Sequence, residues 1–323
     1  MGLIRPLTRL PALLFTLALA IGACNAPTAR PLSASPAATG QPNAQVSGQV
    51  KGSGHTLRIY VAGESIERRN RFVAPPFRAD GSLNSRGELD NDNDEYGWMI
   101  PLAQRLSLRA PGLKVEFVGA DTWLDADDNP YSGSFPSSTP GRTSAISGTD
   151  IPSWLESRRA ELTARTHCYD AAFAARGGND FGNDDDQTYR EQLKELVQLL
   201  AAGSSCQPAP RIYVTGHMPD DQRDQGTDSG NYLARQRQRF VTRVRQAVDE
   251  LKVARPELKV QFVDLFTPFT ANQPTRAFPQ PGWFRDGQLD YDRIVRIDDR
   301  LHVRRLASIY AGEIAADAMI LTD

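Results

Sequence analysis

The tightest group of residues able to do chemistry is Asp299-Arg300-Leu301-His302, an aspartate three positions before a histidine. On one loop, that spacing lets the carboxylate hold one imidazole nitrogen while the other takes a proton from a serine hydroxyl. The expected nucleophile is Ser65, far upstream in Gly63-Glu64-Ser65. Only four histidines are present (His55, His167, His217, His302), so candidates for the base are few. A D-x-x-H spacing alone also arises by chance. Two intervening segments add weight: Ala145-Ile146-Ser147-Gly148 and Gly177-Gly178-Asn179-Asp180, each at the exit of an apolar run. Both could supply hydrogen-bond donors for an oxygen that becomes negative during acyl transfer. Gly148 would offer an unobstructed backbone N–H, Asn179 its side-chain amide, and Ser65 its own N–H.

Taken in order, Gly-Glu-Ser65, Ser-Gly148, Gly-Gly-Asn179-Asp and Asp299-x-x-His302 resemble the four blocks of the SGNH/GDSL hydrolase family, over roughly residues 57–320. The resemblance implies a three-layer α/β/α sandwich around a flavodoxin-like, five-stranded parallel sheet. It also implies a serine esterase without a cofactor. Ser65 would attack the ester carbonyl, His302 act as general base and then general acid, and Asp299 orient His302. Ser65, Gly148 and Asn179 would stabilise the oxyanion. The chain departs from the family pattern at Glu64, where Asp is usual, which puts the hydrogen bonding of that turn in doubt. It departs again at Val303-Arg304-Arg305 after the histidine, two arginines that either flank the pocket or face solvent.

Something must bring these blocks together. Apolar β-rich runs at Leu57–Ala62, Lys114–Val118, Tyr169–Ala174, Arg211–Thr215 and Lys259–Asp264 alternate with helical patterns at 97–109, 151–164, 187–202, 230–254 and 303–319. Regular β-α alternation argues for one domain with a parallel sheet covered on both faces. Ligands on such sheets bind at the carboxyl ends of the strands, where Ser65, Asn179 and His217 would lie.

The amino terminus reads as an export signal. Arg5 and Arg9 precede an apolar run from Leu13 to Ile21, short for a permanent span. Ile21-Gly22-Ala23-Cys24 resembles a bacterial lipoprotein signal, which implies lipidation of Cys24; Asn25 would favour the outer membrane in a Gram-negative cell. The expected division is a signal at 1–23, a flexible Pro/Ala/Ser/Gly-rich tether at 24–54 and a hydrolase domain at 55–323. Cys168 and Cys206 remain as a pair free to oxidise after export, at the amino-terminal edge of the sheet if their strands are neighbours.

With net charge −2 and 24% charged residues, composition is that of an ordinary folded protein rather than a nucleic-acid binder. The arginines from Arg235 to Arg245 read as the solvated face of a helix. Asp90, Asp92 and Asp94 alternate like the start of a calcium loop, but the glycine and closing glutamate are out of place, so a solvated turn is the expectation and no metal is assigned. Polar insertions at 66–96 and 121–147, with Trp123, Tyr131, Trp283 and Phe284 in or beyond them, could stack on a sugar ring or pack locally. The reading that results is an esterase for small acyl groups, acetyl above all, on a carbohydrate. A lipase or thioesterase, an O-acyltransferase on the same triad, and a carbohydrate-binding lipoprotein without turnover stay open, as does oligomeric state.

Overall fold

The computed structural model describes residues 55–68, 72, 75–84, 96–123, 142–176, 178–180, 185–221, 232–295 and 301–319. The chain divides into two units, Met1–Ser47 and Gly48–Asp323, and every described residue lies in the second. Cys24, the tether, the Asp90–Asp94 cluster, Tyr131 and Asp299 lie outside the described residues.

The sheet has five parallel strands: β1 (Thr56–Ala62), β2 (Lys114–Val118), β5 (Ala171–Ala175), β6 (Arg211–Thr215) and β7 (Val260–Val263), in the order β2-β1-β5-β6-β7. Counting only these five strands the order is 2-1-3-4-5, the flavodoxin-like arrangement. Register is continuous: Ile59 pairs with Phe117 and Ala171, and Phe173 with Val61 and Tyr213. Two short antiparallel pairs stand outside it, β3 (Asp121–Thr122) with β4 (Arg142–Thr143) and β8 (Phe284–Arg285) with β9 (Gln288–Leu289).

Alternation along each strand divides the core into two layers. Ile59, Val61, Phe173 and Tyr213 face α2 (Met99–Arg109) and α8 (Arg305–Ala318), meeting Trp98, Leu102, Leu106, Ile309 and Tyr310. Tyr60, Ala62, Ala172, Ala174 and Val214 face α3 (Ile151–Thr163), α4 (Asp186–Gly203) and α6 (Arg243–Ala254). Helix α8 is apolar nearly all round because it is buried nearly all round. Gly312 lets α2 approach so closely that an added Cβ would lie 2.5 Å from Pro101 Cβ. Asp150 and Asp185 cap α3 and α4, accepting from Ser153 N at 2.9 Å and from Thr188 N at 2.8 Å.

The expected alternation of elements is present, with local differences. The third strand starts at Ala171 rather than Tyr169. The helix expected over 230–254 is α5 (Tyr232–Arg237), a π turn at Gln238–Thr242 and then α6. Its arginines are not all solvated: Arg243 is buried, its guanidinium 3.7 Å from the Tyr189 ring centroid and 3.9 Å from Asp186. Trp123 and Trp283 are core residues rather than exposed platforms, packed on Phe117 and on Phe269 and Tyr310; Phe284 alone of the described candidates reaches solvent. Arg305 is buried, donating to the Asn84 carbonyl oxygen at 3.0 Å, and Arg304 donates to that of Asp292. Arg305 therefore does not face solvent, whereas Arg304 is half-buried.

Cys168, just before β5, is bonded to Cys206, between α4 and β6. Those strands are neighbours, so the bridge sits at the amino-terminal edge. No helix among the described residues is long and apolar enough to cross a membrane.

Candidate active site

Ser65 comes immediately after the carboxyl end of β1. The strand ends at Ala62, Gly63 and Glu64 turn the chain, and Ser65 opens the short helix α1 (Ser65–Arg68). Gly63 is required by space, since an added Cβ would lie 2.6 Å from Glu67 Cβ. His302 enters from the far end of the sequence, directly before Val303, which bridges to Val295, and three residues before α8. Its Nε2 lies 2.8 Å from Ser65 Oγ across 237 positions of chain. That distance suits proton transfer from hydroxyl to imidazole.

The other histidines are placed otherwise. His217, at the end of β6, is buried with Nδ1 donating to the Met218 carbonyl oxygen at 2.6 Å. His167 Nε2 pairs with Glu161 Oε1 at 2.9 Å, beside the disulfide. His55 is exposed at the start of β1. Asp299, expected to orient His302, lies outside the described residues.

The expected donors stand on the neighbouring loops. Gly148 is in a turn after β4 with φ +70°, the left-handed region, and nothing lies within 4 Å of where its Cβ would be. Its loop is tied to the serine turn by Ile146 N donating to the Gly63 carbonyl oxygen at 3.1 Å. Asn179 follows β5 by a few residues. Its Nδ2 donates to Glu64 Oε2 at 2.8 Å, and its backbone N to the same oxygen at 3.0 Å. One amide hydrogen is thus used to fix the side chain, and an NH₂ carries a second. Gly178 makes room, since a Cβ there would lie 2.6 Å from Glu64 Oε2.

Glu64 therefore has a definite place: the longer carboxylate is turned inward to anchor Asn179. Its own N–H donates to Glu67 Oε2 at 2.8 Å, and Trp98 Nε1 donates to Glu67 Oε1 at 2.8 Å. Burial, and next the like charge of Glu64, push the Glu67 carboxyl up, against the two N–H groups that favour its ionised form. Asp180 accepts from Ile151 N at 2.8 Å at the start of α3, and burial pushes it up to about 6 despite the opposing Arg176. Glu67, Arg176 and Asp180 went unassigned in the sequence. The available signal was a charged residue directly after a fully buried strand, Arg176 behind Ala171–Ala175. Among the described residues, no group of three or more His, Cys, Asp or Glu side chains could hold a metal ion.

No protein-family model matches the chain, and no curated protein matches it. Several solved structures are similar to it. One is a family 3 carbohydrate esterase from Clostridium thermocellum, 17% identical, covering 81% of this chain and 94% of its own, with a TM-score of 0.48. Another is a lipase/acylhydrolase from Enterococcus faecalis, 13% identical, covering 81% and 94%, with a TM-score of 0.42. A third is a catalytic mutant of an acetylxylan esterase from Geobacillus stearothermophilus, 16% identical, covering 83% and 93%, also with a TM-score of 0.42.

Proposed function

We propose that this protein is a serine esterase acting through an acyl-enzyme, with small acyl groups, acetyl above all, on a carbohydrate as its substrate class. The observation that carries the reading is Ser65 Oγ 2.8 Å from His302 Nε2, on the rim formed by the carboxyl ends of the strands. Ser65 attacks the ester carbonyl as its proton passes to His302. Negative charge builds on the carbonyl oxygen, where the Ser65 and Gly148 N–H groups and the second hydrogen of the Asn179 amide serve as donors. His302 then gives the proton to the departing alcohol, and water, activated by the same imidazole, releases the acid. Asp299, three residues before His302, is assigned to hold the ring. The polar sequence of the insertions at 66–96 and 121–147 favours a short acyl group on a bulky alcohol. The sequence features of the amino terminus support export and anchoring through lipid on Cys24, with the tether holding the enzyme off the membrane.

The deciding experiment is hydrolysis of aryl acetates by the wild type and Ser65→Ala. Turnover should fall at least about ten-thousand-fold, as when a triad serine is removed elsewhere, with the thermal midpoint retained. Undiminished turnover in the variant would sink the mechanism, and no turnover above background in the wild type would favour a binding protein that has kept the scaffold.

A further inference from the structure

Beneath the three loops that carry the candidate oxyanion donors lies a cation with no part in the proton transfer itself. Arg176 directly follows β5, and its side chain is wholly removed from solvent. Its guanidinium reaches in three directions. Nη1 donates to the Gly63 carbonyl oxygen at 2.9 Å, on the turn that presents Ser65. Nη2 donates to the Thr149 carbonyl oxygen, one residue after Gly148. Nε lies 3.9 Å from Glu64 Oε1, and the other oxygen of Glu64 holds both the backbone N and Nδ2 of Asn179. Burying a charge this deeply is unfavourable unless it is paired and hydrogen-bonded. Packing alone at the end of β5 would be served better by an apolar residue. Each group that Arg176 holds lies on, or is bonded to, a loop with one of the three donors.

We infer that Arg176 is a positioning residue for the oxyanion hole, its single planar fork setting the mutual spacing of the Ser65 N–H, the Gly148 N–H and the Asn179 amide. The inference rests on the serine-esterase reading above. Donors help only if they already stand where the oxyanion will form, and a displacement of about 1 Å can cost on the order of 100-fold in rate. A lysine keeps the charge beside Glu64 but lacks the rigid fork that spans two carbonyls at once.

Arg176→Lys and Arg176→Met in the full chain provide the test, with Ser65→Ala in parallel. Each is assayed for kcat and KM on an aryl acetate, for thermal midpoint, and for inhibition by an aryl boronic acid. In the boronate, Ser65 Oγ bonds to boron as its proton passes to His302, and one boron-bound oxygen takes the oxyanion position. The expected result for Arg176→Lys is a kcat lower by about 10- to 100-fold with KM within about threefold. Boronate affinity should fall by a similar factor. A smaller folded fraction would scale the rate alone and leave boronate affinity unmoved. That result, or a folded Arg176→Lys with kcat within about threefold of wild type, overturns the inference. Should Arg176→Met fail to fold, Arg176→Lys decides. Turnover retained in Ser65→Ala would remove the esterase reading and this inference with it. An inactive Ser65→Ala beside an unimpaired Arg176→Lys would remove this inference only.

Discussion

A serine hydroxyl gives up its proton only when a base is within reach, and at Ser65 that base is His302 Nε2, 2.8 Å away. Replacing His302 with Gln should lower kcat on aryl acetates by at least about 1,000-fold. His167→Gln, beside the disulfide and paired with Glu161, should leave kcat unchanged. Equal losses in both variants would show that the dyad is not what drives turnover. Asp180 provides a pH test at the same scale. Its folded-state value of about 6 lies above the ordinary 3.8, so between those values the native state holds a proton that the unfolded chain has lost. Stability from this group is therefore full below that window and falls as pH rises through it, by up to about 3 kcal/mol. Asp180→Asn keeps an acceptor for Ile151 N and removes the titration. In urea unfolding from pH 4 to 7, it should gain on wild type as pH rises through the window. A constant difference would mean that Asp180 is not perturbed in this way.

At the scale of elements, two connections are open to test. The Cys168–Cys206 bridge closes a 38-residue interval around the α4 crossover. In the chain-entropy model such a loop is stabilised by roughly 3–4 kcal/mol. The Cys168→Ser/Cys206→Ser variant should lose about that much in urea unfolding at unchanged KM, because the bridge lies at the edge opposite Ser65. A tenfold change in KM would show instead that the edge communicates with the site. The second connection is the π turn between α5 and α6. It sets the Phe240 carbonyl oxygen against Gly216 at the end of β6, 1.9 Å from where a Cβ would be. Backbone cannot yield as a flexible side chain does, so Gly216→Ala should cost about 1–3 kcal/mol as an overpacked site. A variant of wild-type stability would mean that the helix shifts freely over the sheet.

For the whole molecule, the open quantity is acyl length. Each additional methylene gains at most about 0.8 kcal/mol, and only where apolar surface is present to bury it. The insertions at 66–96 and 121–147 hold little contiguous apolar sequence, and Trp123, which might have provided such surface, is spent in the core. On a series of aryl esters, kcat/KM should be highest at acetyl and fall by butyryl. A steady rise through octanoyl would point to a buried acyl channel and a lipid or thioester substrate.

Apolar β-rich runs alternating with helical patterns were enough to specify a parallel sheet with helices on both faces, because each strand must bury side chains both ways. They were enough also to put Ser65, Asn179 and His217 at the strands' carboxyl ends. With Cys24 set aside for lipid, Cys168 and Cys206 were the remaining pair, and taking their strands as neighbours put both at the amino-terminal edge, where the bridge stands. Element ends were less so, since the start of β5 and the π turn depend on contacts across the sheet. The same holds for side chains whose environment comes from remote chain. Trp123 and Trp283 looked available in polar surroundings, yet Phe117 and Tyr310 cover them. Glu64 looked like a defect in the serine turn until Asn179, 115 positions away, was seen to donate twice to its carboxylate. A local pattern records which face a residue must bury. The partner that a buried charge meets is decided only when distant loops close over it.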